Sequence, residues 1–152
     1  GSVQEEVGLR GATTSSFGID PQVGFGIDVG FATDIPDIPK KLLGDIKLGA
    51  GPELSRSCDN NVVLGRLIRQ IAKKHKIAYQ ETASHRASGG TDTATIQMAR
   101  AGVATALISI PNRYMHSPVE ICDLRDVEGA VQLLTESIAA LKGNESFIPG
   151  VD

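Results

Sequence analysis

Apolar residues recur along the chain in two rhythms. Val23 to Ala32, Ile77 to Ala83 and Val103 to Ile110 are short, β-branched runs of the kind that form buried strands. Between the first of these and the other two lies a segment in which Val63, Leu64, Leu67, Ile68 and Ile71 share one stripe while Arg66, Arg69, Lys73 and Lys74 fall largely elsewhere, which predicts a helix capped by Asn60 or Asn61. A second stripe, Val127, Ala130, Val131, Leu134, Ile138 and Leu141, predicts a final helix capped by Asp126 and closed by Lys142-Gly143. Strands alternating with helices predict an α/β fold, a mixed sheet with helices on both faces. Gly24, Gly26 and Gly30 interrupt the first strand and mark places where a backbone or ligand approaches closely. Asp34 to Pro52, rich in proline and glycine, reads as an irregular connection with at most a short strand at Ile46 to Leu48, and residues 144–152 read as an untethered tail.

Composition narrows the class. The chain has 152 residues with 41% apolar content, enough for one domain with a real core. A net charge of −3 with scattered Lys and Arg argues against a nucleic-acid partner. Cys58 and Cys122 lie far apart and outside any Cys-x-x-Cys spacing, so they are expected as buried apolar residues in a reducing compartment. No apolar run is long enough to span a membrane and no leader pattern opens the chain, so the expected location is cytoplasmic. Gly1-Ser2 has the look of a tag remnant, and residues 3–6 follow as though inside a strand.

Four places combine reactive side chains with glycine, proline or strand ends. In Gln4-Glu5-Glu6-Val7-Gly8, adjacent carboxylates on a regular strand would point to opposite faces, so both serve one site only if the strand ends or kinks there; alone, the motif reads as a solvated acidic pair. Asp28 stands in an apolar strand, where a carboxylate needs a partner, a hydrogen bond or a metal, and a functional role leads over a structural ion pair. Asp34 and Asp37, beside prolines, read as turn formers. Ser88-Gly89-Gly90-Thr91-Asp92 directly precedes a predicted helix and reads equally as an anion site or as a simple cap by Thr91 or Asp92. His116, on the constrained Arg113-Tyr114-Met115-His116-Ser117-Pro118 loop after a strand, is favoured as a metal ligand. His75 reads as the exposed end of a helix and His85 as a solvent-facing loop residue.

Taken together, the Gln-Glu-Glu-Val-Gly-Leu-Arg-Gly-Ala run, the Ile-Asp-Val strand, Gly-Gly-Thr-Asp and Pro-x-Arg-Tyr-x-His-Ser-Pro resemble, in order, the glutamyl-aminopeptidase and tetrahedral-aminopeptidase family, some of whose members carry cellulase or endoglucanase labels. The resemblance implies a zinc-peptidase-like three-layer sandwich, of which residues 1–152 form the C-terminal part of the catalytic domain. It implies two divalent metal ions, zinc or cobalt, per complete site, peptide substrates and a homo-oligomer. By position it makes Glu5 the general base and Glu6, Asp28 and His116 metal ligands. Gly90, Thr91, Asp92, Arg113 and Tyr114 would face the substrate or support the ligands. The family's upstream His-x-Asp and its bridging Asp have no counterpart in this sequence, so both metal positions should fill incompletely. A polysaccharide hydrolase is the alternative within enzymes, but adjacent Glu5 and Glu6 suit base plus ligand better than two carboxyls flanking a sugar, and the aromatic content of 4% with no Trp offers little to stack on sugar rings. A non-catalytic scaffold is the alternative outside enzymes.

Overall fold

The computed structural model describes residues 1–83 and 90–150. A 3-10 turn at Glu5–Val7 leads into α1 (Arg10–Ile19), β1 (Val23–Phe31), the short α2 (Lys40–Leu43), β2 (Glu53–Arg56), α3 (Val62–His75), β3 (Gln80–Ala83), the short α4 (Thr93–Ile96), β4 (Ala104–Arg113), β5 (Ile121–Cys122) and α5 (Leu124–Ala140). The sheet runs β1-β4-β2-β3, with β5 paired to the end of β4. β1 is parallel to β4 and β2 to β3, whereas β2 and β5 run antiparallel to β4. The mixed α/β sheet expected from the sequence is therefore what forms.

Alternation along β4 assigns the faces. Ala104, Ala106 and Ile108 join Leu54 of β2 and Leu64, Ile68, Ile71, Ala130 and Leu133 from α3 and α5 in one continuous core. Thr105 and Leu107 point to the other face, beside Gly24 and Gly26 of β1. There α4 packs so closely that a Cβ on Gly26 would stand 2.7 Å from Thr93 Cγ2, and one on Gly24 2.7 Å from Ile96 Cγ2. Those two glycines thus admit a helix.

Several local expectations are corrected. Residues Glu5–Val7 form a 3-10 turn and no strand; Gln4, Gly8 and Leu9 all take positive φ around it. The chain there doubles back, since Gly11 N–H donates to Val3 O at 2.9 Å and a Cβ on Gly11 would collide with the Val3 backbone. No strand forms at Ile46 to Leu48. Ile46 is instead tied to Thr33, whose backbone N–H and hydroxyl both donate to Ile46 O and whose hydroxyl accepts the Ile46 N–H. α5 starts two residues before Asp126, with Asp123 as its cap accepting the Arg125 N–H. Asp126 is fully buried and accepts the N–H groups of Gly49 and Gly51 at 2.7 and 2.8 Å, pinning that loop to the helix. The buried face of α5 is Asp126, Ala130, Leu133 and Ser137; Val131 and Ile138, expected in the core, are 61% and 53% exposed.

Asn61 caps α3, accepting the N–H groups of Val63 and Leu64, and its amide donates to Phe147 O at 2.8 Å. Phe147 also packs against the core, so the expected tail is anchored at least that far. Cys58 and Cys122 are exposed, contrary to expectation. Among the described residues no helix is long and apolar enough to cross a membrane.

Candidate active site

The 3-10 turn solves the problem that a strand would have posed for Glu5 and Glu6. With about three residues per turn, successive side chains diverge by roughly a third of a circle instead of opposing one another, so both carboxylates can reach one region. His116, at positive φ in the loop after β4, places Nε2 3.8 Å from Glu6 Oε1. Both side chains are largely open to solvent, at 67% and 77%.

Asp28 and Asp92 complete the cluster. Burial is the main cause that raises the Glu5 carboxyl above its usual range, followed by the charges of Asp28, Glu6 and Asp92; His116 opposes the rise. Asp28 is likewise raised chiefly by burial and further by Asp92 and Glu6, while the Val29 N–H, 2.8 Å from its Oδ1, and His116 draw it down. Asp92 opens α4 without making a side-chain cap, and its buried Oδ1 has no hydrogen-bond partner. The cap reading of Asp92 therefore fails, and Thr91 instead shares a 2.9 Å hydroxyl hydrogen bond with Thr93. Gly90 takes φ +94 just ahead of it. Ser88, Gly89 and His85 lie outside the described residues.

Four carboxylates and an imidazole thus gather where no described Lys or Arg pairs with any of them. Such a concentration of negative charge, with an orphaned oxygen in it, suits a cation. Zinc bonds of about 2.0–2.2 Å to oxygen and nitrogen put two ligands of one ion somewhat closer than the observed Glu6–His116 spacing, which a small side-chain adjustment covers. Among the described residues no group of three metal-type side chains converges on one point. The residues fit part of a metal centre.

Two anchors of the His116 loop could not be singled out in the sequence. Asp34, expected only to form a turn, receives both Nε and Nη2 of Arg113 at 2.8 and 2.7 Å, and that guanidinium holds its carboxyl below the usual range. Glu120 accepts the Asn112 amide at 2.6 Å and the His116 N–H at 2.7 Å, contacts that lower its carboxyl in turn. Arg113 therefore supports the loop base, whereas Tyr114, also at positive φ, is 45% exposed. His75 ends α3 and faces Glu136 at 3.4 Å, away from this site.

The mixed sheet with its flanking helices carries these groups on the 3-10 turn, on β1, at the start of α4 and in the loop after β4. The profile of the M42 glutamyl aminopeptidase family matches residues 1–133, and the chain belongs to that family. It is 45% identical over 141 residues to the lysyl aminopeptidase of Pyrococcus furiosus, covering 93% of this chain and 40% of that protein. The solved aminopeptidase APDkam598 from Desulfurococcus kamchatkensis superposes with a TM-score of 0.84 at 40% identity, covering 92% of this chain and 40% of that one. The TET1 peptidase of Pyrococcus horikoshii, described as assembling into a tetrahedron or a large octahedral shell, gives 0.70 at 33% identity over 91% and 39% of the two chains. The chain thus spans about 40% of the length of these relatives.

Proposed function

We propose that this chain is the C-terminal part of the catalytic domain of a metal-dependent aminopeptidase that removes N-terminal residues from peptides. The observation that supports it is the Glu6–His116 pair, set within a carboxylate cluster that has no described cationic partner, in a chain of the M42 family. Glu6 and His116 would hold one ion and Asp28 would serve the other, with zinc or cobalt as the metal. Bound metal would supply Lewis acidity, making a water nucleophilic near neutral pH and polarising the substrate carbonyl.

Glu5 is the general base. It is not needed as a ligand, burial and the neighbouring carboxylates raise its carboxyl above the usual range, and it stands beside Glu6, so it can take a proton from the attacking water and return it to the departing amine. Asp92 and Arg113 act through others: Asp92 adds charge that keeps Glu5 and Asp28 basic, and Arg113 fixes the His116 loop through Asp34. Gly90, Thr91 and Tyr114 border the substrate side. The remaining ligands come from residues beyond this segment, so the segment alone holds at most one ion and turns over feebly. Two cations a few ångströms apart repel one another strongly unless bridged by negative charge.

The complete protein is proposed to assemble as a homo-oligomer. β1 is a sheet edge, and Ile27, Val29 and Phe31 on it are 46%, 37% and 62% exposed, an apolar strip that seeks cover. The test of the activity is hydrolysis of aminoacyl p-nitroanilides by the complete enzyme before and after thorough chelation. Activity that disappears with the metal and returns on adding zinc or cobalt supports the reading, and full activity in the stripped protein refutes it.

A further inference from the structure

Glu53 is a carboxylate that the proposed chemistry does not use. It begins β2, where its Cα partner on β4 is Ser109, and Ser109 is also the partner of Asp28 on β1. Residues in register share a face, so Asp28, Ser109 and Glu53 form one row across the sheet, on the side away from the main core. The Glu53 side chain leans along that row as far as β1: a Cβ on Gly30 would meet its Oε2 at 2.7 Å and Ser109 Cβ at 3.0 Å. Gly30 is therefore the vacant place in which this carboxylate lies, and Gly30 stands one same-face step, about 6–7 Å, from Asp28.

No described Lys, Arg or His pairs with Glu53. Its one described polar partner is the Thr82 hydroxyl, which donates to Oε1 at 2.5 Å and leaves Oε2 unanswered. Burial raises its carboxyl, and the Thr82 contact only partly offsets this. A carboxylate partly removed from water without a counter-ion is costly, and a cationic ligand group would relieve it.

We propose that Glu53 is a specificity-determining residue that receives the side-chain cation of a substrate's N-terminal residue, selecting lysine and its cationic analogues. This rests on the aminopeptidase reading above, because it takes the scissile carbonyl and α-amine to sit at Asp28 and Glu5. A lysine so placed has a flexible four-carbon stem that spans one same-face step of the sheet and delivers its ammonium to Oε2 over Gly30. A neutral side chain of equal length would bury the carboxylate and leave it unpaired, the penalty on which strong discrimination depends.

The test uses the full 152-residue chain with zinc added, titrated with L-lysinamide and, separately, L-norleucinamide, which keeps the α-amine and chain length but lacks the ε-amine. Amide chemical shifts at Gly30, Ser109 and Glu53 report binding. Lysinamide should bind about tenfold more tightly than norleucinamide, and Glu53→Gln and Glu53→Leu should both abolish that preference while leaving norleucinamide binding in place. Equal binding of the two amides, an unchanged preference in Glu53→Gln, lysinamide shifts confined to other acidic surfaces, or no binding of either amide would each overturn the proposal. Zinc uptake measured on the same samples separates the two readings: uptake that needs Glu6 and His116 while the lysine preference is absent removes the role of Glu53 alone, and absent uptake removes the metal site itself.

Discussion

The side chains of Asn112 and Glu120 meet at 2.6 Å across the mouth of the β4–β5 hairpin, with the amide as donor, and the second oxygen of Glu120 takes the backbone N–H of His116. One carboxylate thereby ties the end of a buried strand to the residue proposed as a metal ligand. His116 sits at φ +63, a backbone state that L-residues adopt at a cost, so it needs such a tie.

That brace is testable by exchanging its charges. Asn112→Asp sets a second carboxylate against Glu120 and should speed hydrogen exchange at the His116 amide about tenfold. Adding Glu120→Gln should restore protection, because the new glutamine can donate through Nε2 to the introduced aspartate while its Oε1 still accepts from His116. The single Glu120→Gln should be mild, since the buried Asn112 Oδ1 has no partner and the Asn112 amide can turn to accept from the new donor. Equal exchange rates in all four proteins would dismiss the brace.

Asn61 joins the start of α3 to the segment after α5, capping two N–H groups and donating to Phe147 O. Asn61→Ala should lower the stability of the chain by about 1–2 kcal/mol in urea unfolding, more than Asn61→Asp, which keeps the cap and loses only the donated bond. If the two variants prove equally stable, the cap contributes nothing of its own.

Glu53 also makes a pH signature. Its folded-state carboxyl is raised above the ordinary value of 4.5, so whatever stability it contributes is complete below that pH and is lost as pH climbs through the raised value. Glu53→Gln carries no such loss. Thermal midpoints of the two proteins should agree near pH 4 and separate toward pH 7, with the variant higher. A gap that is constant with pH would mean that the carboxylate is not desolvated as described.

Much of this molecule could be read from its sequence wherever burial and periodicity agree. β4 is apolar because both of its faces are covered over most of its length, whereas β1 is apolar although Ile27, Val29 and Phe31 stay exposed, and α3 carries its core stripe where expected. β3 begins only at Gln80, later than the run that announced it. α1 went unread because Arg10–Ile19 is mostly Gly, Thr and Ser, whose hydroxyls donate to carbonyls within the helix and hide any apolar rhythm. β2 is too short to show alternation. In α5 the apolar stripe is genuine, but the sheet takes the neighbouring stripe of Asp126, Ala130, Leu133 and Ser137, because the Gly49–Gly51 loop supplies two donors for a buried carboxylate. A helix with two candidate faces cannot declare from sequence which one is covered.

For the site, Glu5, Glu6, Asp28 and His116 stand out in the sequence through motif order rather than local geometry. The 3-10 turn that lets neighbouring glutamates act together depends on Gln4, Gly8 and Leu9 at positive φ, and only Gly8 advertises that. Asp34, Glu53 and Glu120 stayed hidden because their partners, Arg113, Thr82 and Asn112, lie far away in sequence or across a hairpin.

Everything proposed for the site rests on Glu6 and His116 holding a metal ion that Glu5 does not hold. Zinc content per chain, measured by elemental analysis after equilibrium dialysis, tests this on wild type and on Glu6→Ala, His116→Ala and Glu5→Gln. At most one zinc is expected in wild type, with a loss of at least about tenfold in affinity in the first two variants and wild-type uptake in Glu5→Gln. Two tightly held zinc ions in wild type, or undiminished uptake in His116→Ala, would contradict it.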